Sequence, residues 1–150
     1  MKKLLINRMG DLIMNKWVLY GKSGNPAYEI TKAWMKNNGI PVENNSVFQL
    51  TRGEIGRLAD IIPGGAKNLV YPDTFSFSMI NPQKKTEKEH IERIHSGNLS
   101  EEEIRDVLAL YPALVITPII TDYKTIIVGY DLDTLVSTFR FVKVKDVTMA

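Results

Sequence analysis

The sequence predicts an α/β domain built on a mixed four-stranded sheet, and three observations carry that expectation. In the first half, short branched or aromatic runs alternate with capped amphipathic stretches, KWVLY before NPAYEITKAW and VENNSVFQ before TRGEIGRLADI. In the last third, two branched runs, ALVITPII and TIIVG, flank a polar turn, the pattern of an antiparallel pair. A chain of 150 residues, 44% apolar and 24% charged, has the size and makeup of one globular domain with one core.

Each element has its own local reason. Lys16 to Tyr20 forms the first strand and Gly21 to Gly24 a turn-rich loop. Asn25 caps the helix that follows, and Pro26 takes its first position, where a missing N–H costs nothing. Ala27, Ile30 and Trp34 predict the buried face of this helix, which Gly39 and Pro41 end. Val42 to Gln49 reads as the second strand. Thr51 and Glu54 then have the spacing of a capping box, opening a helix whose stripe is Ile55, Leu58, Ala59 and Ile62 and which Pro63-Gly64-Gly65 stops.

The stretch from Ala66 to Gly97 is interrupted by Tyr71-Pro72 and Asn81-Pro82, and Gln83 to His95 reads as a mixed-charge, solvated helix. The alternation of Phe75, Phe77 and Met79 predicts one buried face, turned to the domain's own core in preference to a partner. Ser100 and Glu103 repeat the capping box, before a stripe of Ile104, Val107, Leu108 and Tyr111 that Pro112 closes. Strands from Leu114 to Ile120 and from Thr125 to Gly129 flank the turn Thr121 to Lys124. Asp131 caps a helix bearing Leu132, Leu135, Val136 and Phe139, and the tail from Phe141 to Ala150 reads as a strand. The order β-α-β-α, helices, β-β-α is that of the thioredoxin fold with a helical insertion at about residues 66–111.

The bulk numbers narrow the function. Nineteen basic against 17 acidic residues leave a net charge of +2, too little for a strong direct hold on nucleic acid. The longest apolar runs fall far short of the ~20 residues of a membrane-spanning helix. Arg8 and Asp11 interrupt the opening segment before a signal-peptide core forms, so a cytoplasmic location is expected. Residues 1–13 are expected to be a disordered extension, with Met14 as the natural start and residues 14–150 as the single domain. The chain has no cysteine, which excludes disulfides, thiolate metal sites and thiol chemistry of its own.

Four landmarks, in order and at matching spacing from about Lys16 to Arg140, resemble the arsenate reductase/Spx family, the Spx branch more closely. YGKSGNPAYEITKAWMKNNGIPVE resembles that family's active-site segment, and TRGEIGRLADIIPGG its second helix and glycine loop. EEEIRDVLALYPALVITPII resembles its Tyr-Pro break and Pro-Ile-Ile strand, and VGYDLDTLVSTF its closing turn and helix. At the positions matching the CxxC cysteines stand Asn25 and Tyr28, and at those matching the anion-holding arginines stand Asp73, Ile116 and Thr117. The resemblance thus implies the scaffold without nucleophile, resolving thiol or anion clamp. It also implies a cis Thr117–Pro118 peptide beside the active-site loop, an isomer that only X-Pro bonds reach at small cost.

Two functional expectations follow from the resemblance. The first is a catalytically inactive, redox-independent regulator that docks on the C-terminal domain of the RNA polymerase α subunit through Gly64 and Gly65, with Arg57, Asp60 and Lys67 as a polar rim. The competing reading of Pro-Gly-Gly is a helix stop. The second is a pseudoenzyme that holds glutathione or a small anion in the vacated loop, through Lys22, Ser23, Asn25, Tyr28, Thr117 and Pro118, against the plainer reading of Asn25 as a cap alone. No cofactor is implied. Glu89, His90, Glu92 and His95 are of metal-binding types, but histidines five apart do not share a helix face, so a metal site is not expected.

Overall fold

A computed structural model describes residues 16–72 and 85–149, with side chains described for 16–72 and 87–140. Strands β1 (Trp17–Gly21), β2 (Val42–Ser46), β3 (Ile119–Thr121) and β4 (Ile126–Val128) form one sheet in the order β2-β1-β3-β4. β1 and β2 are parallel, joined by helix α1 (Pro26–Asn37), the crossover a parallel pair requires. β3 is antiparallel to both β1 and β4, so the sheet is mixed. Helices α2 (Arg52–Ile61), α3 (Lys85–His95), α4 (Glu101–Leu110) and α5 (Leu132–Met149) complete the described elements.

Side chains alternate across the sheet and so feed two cores. Leu19 and Ile120 pack with Tyr28 and Met35 of α1 and with Leu135 and Phe139 of α5. Val18, Tyr20 and Ile119 face the other way, toward Ile55 and Leu58 of α2, Ile91 and Ile94 of α3 and Leu108 of α4. Both capping boxes form. Thr51 Oγ1 accepts from Glu54 N at 3.1 Å while Glu54 Oε1 accepts from Thr51 N at 2.9 Å, and Ser100 and Glu103 repeat the exchange at 3.1 and 2.8 Å. The Thr117–Pro118 peptide is cis, as the resemblance implied.

Several expectations are corrected. α1 buries Tyr28, Thr31 and Met35 rather than Ala27 and Ile30, and Ile30 is half exposed. Apolarity alone misplaces the face because Thr31 hides its hydroxyl by donating to Ala27 O at 2.8 Å. β2 stops at Ser46, whose Oγ accepts from Phe48 N at 3.1 Å and caps a 3-10 turn over Val47–Gln49. The strand expected from Leu114 to Ile120 is confined to Ile119–Thr121: a 3-10 turn takes Pro112–Leu114, Val115 makes only an isolated bridge to Val70, and the cis Thr117–Pro118 peptide precedes β3. α3 is no freely solvated helix, since Ile91 and Ile94 are buried. In α5, Leu132 and Val136 are exposed while Leu135 and Phe139 are buried.

The tail is helical, not a strand, as α5 runs on to Met149. Val142, Val144 and Val147 favour strands, but no glycine or proline interrupts Leu132–Met149, and each residue added to an existing helix gains a hydrogen bond. The expectations for residues 1–13 and Met14, for Asp73 and for Phe75, Phe77 and Met79 lie outside the described residues.

Candidate functional site

The loop after β1 is built around Asn25. Its backbone is extended, its N–H donates to Lys22 O at 3.0 Å, and its Oδ1 accepts from Tyr28 N at 2.9 Å, the geometry of a helix N-cap. Its carbonyl accepts from Glu29 N at 2.9 Å, and Gly24, at a φ of 85°, donates its N–H to Glu29 Oε2 at 3.1 Å. Pro26 has no N–H, so Ala27 supplies the one first-turn donor that these bonds do not consume. An oxyanion therefore meets far fewer donors than a bare helix end presents.

Tyr28 is buried with its ring laid over Gly21, where a Cβ would stand 1.9 Å from the ring. Its hydroxyl donates to Asn44 Oδ1 at 3.4 Å. Lys22, the loop's cation, lies with Nζ 5.8 Å from the Phe48 ring centroid. Ser23 is exposed.

On the other flank, Tyr20 pairs with Ile119, so the register carries Pro118 and Thr117 alongside Gly21 and Lys22. The β1–α1 loop and the cis proline thus adjoin, as expected. Pro118 O accepts from Gly129 N at 2.8 Å, fastening the segment to the end of β4. Asn25 and Thr117 are both buried, and Asn25 Nδ2 and Thr117 Oγ1 have no hydrogen-bond partner among the described residues.

The glycine loop is tied to the chain itself. Gly65 has a φ of 85° and a ψ of −166°, and a Cβ there would lie 2.6 Å from Glu101 Oε1. That proximity lets Glu101 Oε2 accept from Ala66 N at 3.0 Å while receiving Arg105 Nε at 2.8 Å. Arg105 also donates to Asp60 Oδ1 at 2.9 Å. At Gly64 a Cβ would meet Asn68 Nδ2, which donates to Pro63 O at 2.6 Å. The Arg57 guanidinium lies 3.8 Å from the Tyr123 ring centroid. Tyr123 shares a hydroxyl hydrogen bond with Tyr20, which donates to Glu54 Oε2 at 3.3 Å. Arg57, Asp60, Gly64 and Lys67 are nevertheless exposed.

Burial, reinforced by Tyr123 and the Glu54 carboxylate, holds the Tyr20 phenol well above its ordinary pKa, so it stays neutral. His90 stacks on Tyr111 with its Nδ1 3.1 Å from Arg93, and His95 Nε2 lies 2.9 Å from Tyr71 O. Among the described residues no three groups of metal-binding type gather. Sequence reasoning did not single out Glu101, Arg105 and Tyr123 around the glycine loop, nor Asn44, Asn45 and Ser46 beside Ser23. The available signal for the second set was the polar run VENNS in a strand, since a parallel pairing to β1 must bring its end next to the loop.

No protein-family model matches the chain, and no curated protein matches it. Solved structures do. An arsenate reductase from Vibrio cholerae superposes with a TM-score of 0.64 at 16% identity, covering 81% of this chain and 96% of its own. A Staphylococcus aureus protein solved by solution NMR gives 0.63 at 15% identity, covering 81% and 96%. An ArsC family related protein from Bacteroides fragilis gives 0.60 at 16%, covering 85% and 98%. The fold is thus the thioredoxin-like α/β architecture that these structures share.

Proposed function

We propose that this chain is a non-catalytic, Spx-like regulator that acts in the cytoplasm by binding RNA polymerase, through the C-terminal domain of the α subunit. The observation that carries the non-catalytic part is Asn25: at the position of the nucleophile stands an amide whose oxygen is consumed in capping α1. Reduction by this scaffold needs a thiolate there and cations around the oxyanion, and the chain has no cysteine, with Ile116 and Thr117 at two of the arginine positions. What remains is a surface. Arg57, Asp60, Gly64 and Lys67 stand exposed along the C-terminal half of α2 and in the segment after it, a rim of mixed charge open to a partner.

The test must avoid Gly65, because a side chain there collides with Glu101 whatever the partner. Tagged protein should co-purify with polymerase α, and Lys67→Glu should weaken that association by about tenfold or more while the melting temperature stays put. Undiminished association sinks the docking surface, and no association at all sinks the regulator reading.

A second reading is favoured by the buried, unpartnered Asn25 Nδ2 and Thr117 Oγ1. They support a reading of the loop as one that holds a ligand without chemistry, glutathione or a small anion. Amide shifts at Ala27 and Thr117 on adding either compound support it, and silence at both positions rejects it.

A further inference from the structure

A cavity of about 120 Å³ opens on the flank of the β1–α1 loop away from the cis proline. We infer that it is a binding site for a neutral carboxamide group. This rests on reading the vacated loop as a ligand pocket, but it moves the ligand to the β2 side and changes its chemistry.

The placement follows from topology. β1 and β2 are parallel and end together, Gly21 opposite Ser46, and the carboxyl ends of parallel strands open a crevice between the loops that leave them. Gly21, Ser23, Tyr28, Asn44, Asn45 and Ser46 line that crevice. The tyrosine in place of the second thiol makes one wall, and it fits only because Gly21 lacks a Cβ.

The lining carries hydrogen-bond capacity and no formal charge. Asn44 and Ser46 share the face of β2 turned to Tyr28, while the Asn45 side chain pairs with Glu43 on the other face at 3.1 Å, so Asn45 only adjoins the crevice along the strand. Tyr28 donates to Asn44 Oδ1, leaving the phenolic oxygen to accept and Asn44 Nδ2 to donate. Ser46 Oγ accepts from Phe48 N and keeps its hydrogen, while the Ser23 hydroxyl serves either way. Donors and acceptors side by side suit a group that carries both, such as a C=O and an N–H on one carbon. No cation lines the crevice to hold an anion, and Lys22 Nζ lies 5.8 Å from the Phe48 ring centroid. The volume equals that of about four waters, enough for a carboxamide and its attached carbon.

The test is a titration of the ¹⁵N-labelled full chain with acetamide and, separately, with inorganic phosphate. Acetamide is expected to give saturable shifts at Ser23, Asn44 and Asn45, with a Kd on the order of 1–100 mM for so small a ligand. Asn44→Asp, which exchanges the free donor for a charged acceptor at constant shape, should weaken it by about 3- to 10-fold. Acetamide shifts unchanged in Asn44→Asp overturn the site. Phosphate shifts at Ala27 and Thr117 with acetamide silent overturn the carboxamide inference and leave the pocket reading standing. Silence to acetamide, phosphate and glutathione alike removes both.

Discussion

At Asn25 one side chain bears on two questions, how α1 begins and what stands at the mouth of the loop. Loss of an N-cap costs about 1 kcal/mol, so Asn25→Ala should lower stability by about 0.5–2 kcal/mol in urea melts, and Asn25→Ser should recover most of it. Asn25→Cys places a thiol at a helix N-terminus, where its pKa should fall below the free value, read as thiolate absorbance against pH; under the non-catalytic reading proposed above, arsenate should still not be reduced. Gly65 is the other decisive residue. Gly65→Ala adds a Cβ at positive φ and against Glu101, and should destabilise by about 1–3 kcal/mol. If the collision contributes, the loss in a Glu101→Ala background is smaller, which a double-mutant cycle measures. Asn25 as a cap was legible from its place before Pro26. The demand on Gly65 was not, since it arises from a carboxylate 36 residues further along the chain.

At the scale of elements, α2 and α4 are joined by two arginines that look alike in the sequence and differ in setting. Arg52 reaches Glu102 at 2.7 Å and Asp106 at 2.8 Å from a partly exposed position. Arg105, with a side chain only 15% exposed, bridges Asp60 and the Glu101 that holds Ala66 N. Arg52→Met should therefore cost no more than about 1 kcal/mol, in keeping with surface pairs. Arg105→Met leaves Glu101 without its cation and should cost about 1.5–3 kcal/mol, again by urea melts. Helix starts were readable because capping boxes are local: Thr51 with Glu54 and Ser100 with Glu103 sit three residues apart. Faces and ends were harder. Thr31 belongs to the buried face of α1 only because its own backbone absorbs the hydroxyl, and the valine-rich tail stays helical because α5 is already nucleated upstream.

For the molecule as a whole, element order carried the fold, since a crossover helix between parallel strands followed by an antiparallel pair leaves few arrangements of a four-stranded sheet. Tyr20 ties that sheet to α2 through Glu54 and to the β3–β4 turn through Tyr123. Its pKa is raised on folding, so its contribution is fully present below the unfolded value of about 10 and is lost as pH rises beyond it. Thermal melts from pH 8 to pH 11 should show the melting temperature falling above about pH 10, and Tyr20→Phe should remove that part of the fall. The central claim is that this scaffold binds without turning over. The most direct measurement is arsenite production by the purified chain given arsenate with a dithiol or glutathione. The account predicts none above the protein-free blank, and arsenite formed in proportion to protein concentration would contradict it.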